Sequence, residues 1–178
     1  QQEVGFGFIV ENPNATLAIE RATYEIVVYD VAGVPVKSER GTVAALLPRQ
    51  RLGVAGSIYV PKGTTVTRVE VRIFPGTFVP AEPPSPLVTD NVIWRSNGGS
   101  GTVTGVVKNQ LRRPIGPLTM AAIAYDARGA IIGVGSAVVQ AVAANGQTTV
   151  EVPITAAPNS RVVEVELYAA PGTLVAPR

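Results

Sequence analysis

Carboxylates are the side chains of this chain best suited to chemistry. Asp30 and Asp126 each follow a tyrosine, and a glycine stands three residues after each of them. A loop carboxylate can bind Ca²⁺, but that ion takes roughly six to eight oxygen ligands, and the sequence has no Asp-x-Asp or Asp-x-Asn-x-Asp run. Aspartate also accepts hydrogen bonds from its own turn, where glycine readily adopts positive φ. The pattern therefore predicts two turn-capping aspartates and no metal site.

Other catalytic groups are scarce. The chain has no Cys and no His, which excludes thiolate chemistry, imidazole acid–base catalysis and the usual zinc sites. Glu70 and Glu166, with Arg72 near the first, could act as acid–base groups, but they alternate with apolar residues and indicate surface ion pairs. Gly5-Phe6-Gly7 precedes no helical pattern, so it is not a phosphate-binding loop. We predict a protein that is not an enzyme and uses no cofactor.

Charge and hydropathy exclude two further classes. Charged residues make up 16% of the 178 residues and the net charge is +2, whereas an average globular chain is about 25% charged. The only close basic pairs are Arg49/Arg51 and Arg112/Arg113, which we place in solvated turns. A nucleic-acid binder would show a basic stripe. No apolar run approaches the roughly 18 residues of a membrane span, so neither nucleic acid nor a spanning segment is expected.

The compartment is predicted from the start of the chain and its low charge. The chain begins at Gln1, and Met120 is its only methionine. We expect a signal peptide or anchor segment to have been removed before Gln1, and an extracellular or cell-surface location. Asn14-Ala15-Thr16 is a glycosylation sequon in a predicted loop, and its use stays open.

The elements that position these side chains occur twice. Residues 29–33 match residues 125–129, and residues 75–77 match residues 171–173, at a constant offset of 96. Such a long period indicates a domain duplication rather than a solenoid. The chain is therefore divided into repeat 1 (residues 1–80), a proline-rich connector (81–87) and repeat 2 (88–178). Four prolines between Val79 and Pro86 make this stretch extended and stiff, and we expect it to hold the two domains apart.

Short apolar runs with a period of two indicate strands throughout. Gly and Pro, 33 residues together, separate these runs, as turns do in sandwich domains. Ser136–Ala144 has helical propensity, but its counterpart in repeat 1 has no helical period, so we predict a strand. Tyr29 and Tyr125 lie opposite the inward face of their strands, and we expect them to pack against the other sheet or to pair across strands, with a binding role as the alternative. We predict an all-β fold of two tandem immunoglobulin-like (fibronectin III-like) antiparallel β-sandwich domains.

The repeats begin unequally. Val92 and Trp94 share one face of a strand that opens repeat 2, and repeat 1 has no counterpart of this strand. Trp94 is expected in core or interdomain packing, with a partner anchor as the alternative. Either an upstream segment carried the missing strand, or it is dispensable, or another chain supplies it by β-augmentation. The candidate partner-binding residues are Val4, Phe6, Phe8, Val10, Val92 and Trp94.

Two families share these motifs. Val103–Asn109, Ile123-Ala124-Tyr125-Asp126 and the following Gly129 resemble the bacterial FxLYD domain, an immunoglobulin-like sandwich often found in tandem in secreted or lipid-anchored proteins. The Phe and Leu of that name are replaced by Ile26 and Val28 in repeat 1, and by alanines in repeat 2. Residues 10–14 are similar to the Asn-Pro-Asn opening of type-2 late-embryogenesis-abundant and water-stress domains. The resemblance implies a sandwich fold and brings no catalytic residue.

The predicted function is structural. We expect a non-enzymatic cell-surface assembly protein that acts through protein–protein contacts. In its strongest form it is a homopolymer or filament subunit joined by β-strand complementation, with a groove beside Val4–Val10. The alternative is a ligand- or partner-binding accessory module of an envelope complex, with a concave polar patch at the domain junction near Trp94.

Overall fold

The protein is all-β with antiparallel sheets. The computed structural model describes residues 1–43, 45–81, 87–98 and 100–171, and none of these residues is helical. Accordingly, no helix among them could cross a membrane. The described strands are β1 (Gln2–Glu11), β2 (Leu17–Glu20), β3 (Thr23–Asp30), β4 (Pro35–Thr42), β5 (Arg51–Val60), β6 (Val66–Phe74), β7 (Thr77–Pro80), β8 (Leu87–Asn97), β9 (Ser100–Asn109), β10 (Leu118–Tyr125), β11 (Ile131–Val139), β12 (Gln147–Ala156) and β13 (Glu164–Pro171).

Repeat 1 contains three small sheets. β1 pairs with β5, β3 lies between β4 and β6, and β2 pairs with β7. The alternating apolar residues of the first two sheets face each other, because successive side chains of a strand point to opposite faces. Their buried members are Phe6, Ile26, Val28, Ile58 and Val60.

Repeat 2 forms one six-stranded sheet in the order β13-β10-β11-β12-β9-β8. The sheet curls until its two end strands approach, and the Thr89 hydroxyl on β8 donates to the Leu167 carbonyl on β13 at 2.7 Å. This near-barrel encloses the larger core, with Val103, Val107, Leu118, Met120 and Ile154 among its buried side chains.

In repeat 2 the strands β11 and β12 pair with each other, and glycines on β11 make this pairing possible. β11 pairs with β12 at Gly133 and Val134, and a Cβ atom on Gly135 would lie 1.9 Å from the Pro153 carbonyl oxygen. At the offset of 96, repeat 1 has Lys37 and Glu39 in place of Gly133 and Gly135. Side chains of this size do not fit so close an approach, and no pairing joins β4 and β5 among the described residues.

A buried asparagine organises the loops of each repeat. The amide nitrogen of Asn12, which is almost fully buried, donates to the backbone carbonyls of Leu17, Leu46 and Leu47. Asn109 in repeat 2 donates in the same way to the carbonyls of Arg113, Val142 and Ala143. Asn12 and Asn109 are 97 residues apart, so residues of β1 correspond to residues of β9 at an offset of 97.

The two repeats contact each other directly. Glycines on the outer face of β1 leave room for side chains of repeat 2. A Cβ atom on Gly7 would lie 2.3 Å from Val134 and 3.2 Å from Ile123. The expectation that the connector holds the domains apart is therefore wrong, because small residues let the sheets meet. Most of the predicted connector, residues 82–86, lies outside the described residues.

Two local predictions are resolved by the strand bounds. The strand predicted over Ser136–Ala144 is right as far as Val139, where β11 ends; beyond it, Val142 makes an isolated bridge with Ile115. Pro35 begins β4, which is an edge strand of its sheet. An edge position suits proline because it has no N–H to donate.

Candidate functional site

One edge of β1 is unpaired among the described residues. On its other side β1 pairs with β5 over its whole length, and the Asn12 N–H that follows it donates to the Gln50 carbonyl at 2.9 Å. Backbone groups alternate in direction along an antiparallel strand. The N–H and C=O groups that face the free edge are those of Glu3, Gly5, Gly7, Ile9 and Glu11, and we call this row the acceptor edge. Unpaired edges of this kind are templates for another strand.

Repeat 2 has a strand at the corresponding position. There β8 pairs with β9 from Leu87 opposite Asn109 to Asn97 opposite Ser100. Val92 and Trp94 on β8 pack against the core of repeat 2. Among the described residues, repeat 2 therefore has this strand and repeat 1 has no counterpart of it.

The absence of a β8 counterpart among the described residues leaves apolar side chains of repeat 1 exposed. In repeat 2, Leu167 and Ala169 are 4% and 8% exposed. Their counterparts at the offset of 96 are Val71, which is half-buried, and Ile73, which is 43% exposed. These side chains lie on the inward face of β6, toward the side on which β8 covers β13 in repeat 2.

The structure brings four of the six predicted partner-binding residues together. Val4, Phe6, Phe8 and Val10 all face inward from β1; Phe6 is buried and the other three are half-buried. Val92 and Trp94 lie on β8 of the other repeat, half-buried against its core. These two residues belong to the strand that covers the corresponding edge in repeat 2.

Sequence reasoning missed the other side of this groove. The ring of Tyr24 on β3 lies 5.2 Å from that of Phe8 in an edge-to-face contact and 6.0 Å from that of Phe6. We call the surface formed by Val4, Phe8, Tyr24, Val71 and Ile73 the acceptor groove. The alternation of β3 and β6 marked these residues as inward-facing, but it gave no sign of which neighbouring strand covers them.

A second polar site lies at the junction between the repeats. Arg51 at the start of β5 donates to the Glu166 carboxylate and to the Tyr168 hydroxyl, both at 2.5 Å. The hydroxyls of Tyr125 and Tyr168 donate to the other oxygen of Glu166 at 2.5 and 2.6 Å. Arg51, Tyr125, Glu166 and Tyr168 form the junction cluster. Arg51 is thus not in a solvated turn as predicted, and the ion pair of Glu166 links the two repeats.

The junction cluster shifts the pKa of its members. Burial alone would raise the pKa of Glu166, but the bonds donated by Arg51, Tyr125 and Tyr168 outweigh it and lower that pKa below its ordinary value. Burial and the bond to Glu166 both raise the pKa of the Tyr168 hydroxyl. The bond to Glu166 raises the pKa of Arg51 in turn. These shifts favour an ionised Glu166 carboxylate, a protonated Arg51 guanidinium and neutral hydroxyls on Tyr125 and Tyr168.

A cavity of about 400 Å³ opens beside this cluster. Its polar wall includes Gln50, Arg51, Glu166 and Tyr168, and its apolar wall includes Leu87, Val92 and Leu167. The sequence predicted a concave polar patch near Trp94 at the junction; the cavity lies there beside Val92, and Trp94 is not among its lining residues.

Repeat 1 carries the counterpart of the junction pair on its own sheet. The Tyr29 hydroxyl donates to Glu70 at 2.8 Å, as Tyr125 does to Glu166. Here the cation comes from the same strand: Arg68 pairs with Glu70 at 3.0 Å and stacks 4.1 Å from the centre of the Tyr29 ring. The bond to Glu70 raises the pKa of Tyr29. The cross-strand interpretation of the tyrosines and the ion-pair interpretation of Glu70 are confirmed.

The aspartates cap turns as predicted. Oδ1 of Asp126 accepts from the backbone N–H groups two and four residues on, at 2.8 and 2.9 Å. Asp30 accepts the same two bonds, both at 2.9 Å. These backbone bonds lower the pKa of Asp126. Within the described ranges, no group of three or more carboxylates could hold a metal ion.

No protein-family model matches the chain, and no curated protein matches it. The resemblance to FxLYD and late-embryogenesis-abundant domains stays a prediction that rests on the motifs themselves.

Proposed function

We propose that this protein is a non-enzymatic assembly protein that binds a β-strand of a protein partner along the acceptor edge of repeat 1. In this proposal each repeat is an immunoglobulin-like sandwich, and the described residues of repeat 1 include no counterpart of β8. The observation that carries the proposal is the pair of matched sites. β8 covers the edge of β9 in repeat 2, while the edge of β1 stays open beside the half-exposed Val71 and Ile73.

Pairing of an added strand with the acceptor edge would be energetically favourable. Each backbone hydrogen bond contributes about 1 kcal/mol net, so pairing along five edge residues supports binding with several kcal/mol before ordering costs. Burial of Ile73 and its neighbours would add about 25 cal/mol per Å² of apolar surface. Both contributions need a neighbouring strand and no reactive group, so the proposed activity is binding and not catalysis.

The added strand could come from a second copy of this chain or from another source, and these are two forms of the proposed function. In the polymer form, a second copy of the chain donates it and the contact repeats head to tail. Every described strand of a copy already pairs within its own repeat, so a donated strand would have to leave its own sheet. This favours a strand from outside the described residues over one taken from a sheet of a second copy. The low charge of the sequence supports our placement of this assembly outside the cell or on its surface.

A library of ten-residue strand peptides tests the proposal without a known partner. Peptides selected on the wild-type chain should slow amide hydrogen exchange at Gly5, Gly7 and Ile9, whose backbone groups face the free edge. They should bind the Ile9→Pro variant at least about tenfold more weakly, because proline removes one edge donor and obstructs pairing. The Ile9→Ala variant controls for the lost side chain. Binders that do not distinguish Ile9→Pro from Ile9→Ala would contradict the proposal.

The junction cavity favours a second candidate function, a small-ligand-binding accessory module. Its volume of about 400 Å³ falls within the roughly 300–1,000 Å³ of ligand pockets, and Gln50 and Tyr168 line it. A ligand seated there should raise the melting temperature of the wild-type chain and not that of the Gln50→Ala/Tyr168→Phe variant. An equal shift in both proteins would place the ligand elsewhere.

A further inference from the structure

The six-stranded sheet of repeat 2 is open along one seam. Its end strands, β8 and β13, do not pair with each other among the described residues. Thr89 on β8 spans the seam, because its hydroxyl donates to the Leu167 carbonyl on β13 at 2.7 Å. The junction cavity of about 400 Å³ is lined by residues of both strands. A ligand in this cavity therefore lies against the edge of a β-strand.

The bond across the seam shows which backbone groups of β13 face the cavity. The Leu167 carbonyl points toward β8, and backbone groups alternate in direction along an antiparallel strand. The N–H and C=O groups of Val165 and Ala169 therefore point the same way, while the residues between them pair with β10. Val165, Leu167 and Ala169 all line the cavity. Since no described strand pairs with them on this side, their N–H groups and the carbonyls of Val165 and Ala169 are open to a ligand.

The charged side chains that line the cavity are already paired. Arg51 and Glu166 bond to each other, and the Tyr168 hydroxyl bonds to both of them. Arg51 also pairs with Glu11 at 3.3 Å. A carboxylate or ammonium group that entered the cavity would lose water without gaining a free counter-ion, and burial of an unpaired charge is costly. The cavity therefore favours a neutral ligand.

Repeat 1 adds a free amide donor to the cavity wall. Oε1 of Gln50 accepts from the Leu47 N–H at 2.8 Å, whereas its Nε2 has no bonding partner among the described residues. The remaining wall is largely apolar and includes Leu52, Leu87 and Val92. Amide donors, carbonyl acceptors and apolar surface together are complementary to a peptide backbone that carries an apolar side chain.

We infer that the junction cavity binds a short uncharged peptide segment, whose backbone pairs with the open groups of Val165, Leu167 and Ala169. The inference rests on the second candidate function above and names the class of its ligand. Backbone groups on one side of an extended peptide repeat every two residues, about 6.8 Å, which is also the spacing of the open groups on β13. Because free peptide ends are charged, the segment lies inside a longer chain. It competes with Thr89 for the Leu167 carbonyl.

A capped tripeptide, acetyl-alanyl-leucyl-alanine amide, tests this inference against the same tripeptide with free ends. Each is titrated into the isotope-labelled 178-residue protein, and NMR follows the backbone amide signals. We expect the capped peptide to shift the signals of Val165, Leu167 and Ala169 and to bind at least about tenfold more tightly than the free one. Equal or tighter binding of the free peptide at these amides would overturn the uncharged class and leave the cavity as a ligand site.

Two variants test the polar groups that the peptide would use. Gln50→Glu keeps the acceptor for the Leu47 N–H and removes the amide donor, so the capped peptide should bind about fivefold more weakly, as expected for one lost hydrogen bond. Gln147→Glu, which adds the same charge outside the cavity lining, should leave binding unchanged. Thr89→Ala frees the Leu167 carbonyl and should tighten binding about fivefold. Unchanged binding in both Gln50→Glu and Thr89→Ala would overturn the backbone pairing.

The position of the shifted signals separates this inference from the functions proposed above. Shifts at Gly5, Gly7 and Ile9 without shifts on β13 would assign the peptide to the acceptor edge and overturn the inference. Absence of shifts at the lining residues with both peptides would overturn it as well. The second candidate function would fall with it only if a library of small neutral and charged fragments also left the amide signals of the lining residues unshifted.

Discussion

Arg51 of repeat 1 donates a 2.5 Å hydrogen bond to Glu166 of repeat 2, so one ion pair joins the two copies of the duplicated module. The carboxylate it binds has a counterpart in Glu70, which takes its cation from Arg68 two residues away on the same strand. The duplicated tyrosine–glutamate pair has thus diverged into a local contact in one copy and an interdomain contact in the other.

Removal of the interdomain cation should uncouple the repeats. The Arg51→Met variant leaves Glu166 with its two tyrosine donors only, and we expect it to lower the free energy of unfolding by about 1–2 kcal/mol. Urea unfolding followed by circular dichroism measures this change. Arg68→Met in repeat 1 is the matched control and should cost less than about 1 kcal/mol, because its ion pair is more exposed. Equal losses would show that the junction pair has no special role.

The low pKa of Glu166 gives the junction a pH dependence. A carboxylate whose pKa is lowered on folding contributes stability that is fully present above its ordinary pKa of 4.5 and is lost as the pH falls through the folded pKa. Wild-type stability should therefore decrease below about pH 4.5, and Glu166→Gln should flatten this decrease. Denaturation midpoints between pH 2 and 7 measure it. Glu164→Gln, on the same strand, should leave the slope unchanged; a Glu166→Gln profile parallel to that of the wild type would contradict the assignment.

The sequence predicted the all-β character of the fold and the positions of several side chains, and the features it did not predict share a cause. Period-two alternation and the 96-residue offset located the strands, the capping aspartates and the inward faces of Val4 and Phe8, because these depend on local residues. The contact between the repeats was not predictable, since it depends on Gly7 meeting Val134 across a distance of more than a hundred residues in sequence. A glycine in a strand indicates a close approach without naming the neighbour.

The two buried asparagines should be the most sensitive polar residues of the fold. Asn12→Ala would remove the donor that three backbone carbonyls share. The carbonyls of Leu46 and Leu47 keep a backbone N–H donor, but the Leu17 carbonyl and the Asn14 N–H lose their bonds to the Asn12 side chain, and an unpaired buried group costs about 1–3 kcal/mol. We expect a loss of about 3 kcal/mol, and a similar loss for Asn109→Ala. Asn14→Ala, whose amide only bonds to Asn12, is the control and should cost less than about 1 kcal/mol. Thermal unfolding of the three variants checks this, and an Asn12→Ala variant as stable as the wild type would contradict this role of the buried asparagines.

The open edge can be tested within the chain by placing proline at matched positions. Ile9 and Val106 correspond at the offset of 97, but Val106 lies on β9 between two partner strands, opposite Asp90 of β8, whereas the Ile9 N–H faces the free edge. Proline is tolerated on edge strands and not on central ones. We expect Val106→Pro to cost about 3 kcal/mol and Ile9→Pro to cost less than about 1 kcal/mol, each relative to alanine at the same position. Chemical denaturation provides the comparison. If Ile9→Pro is as costly as Val106→Pro, the edge of β1 is already paired in solution, and the strand that pairs with it must then be identified.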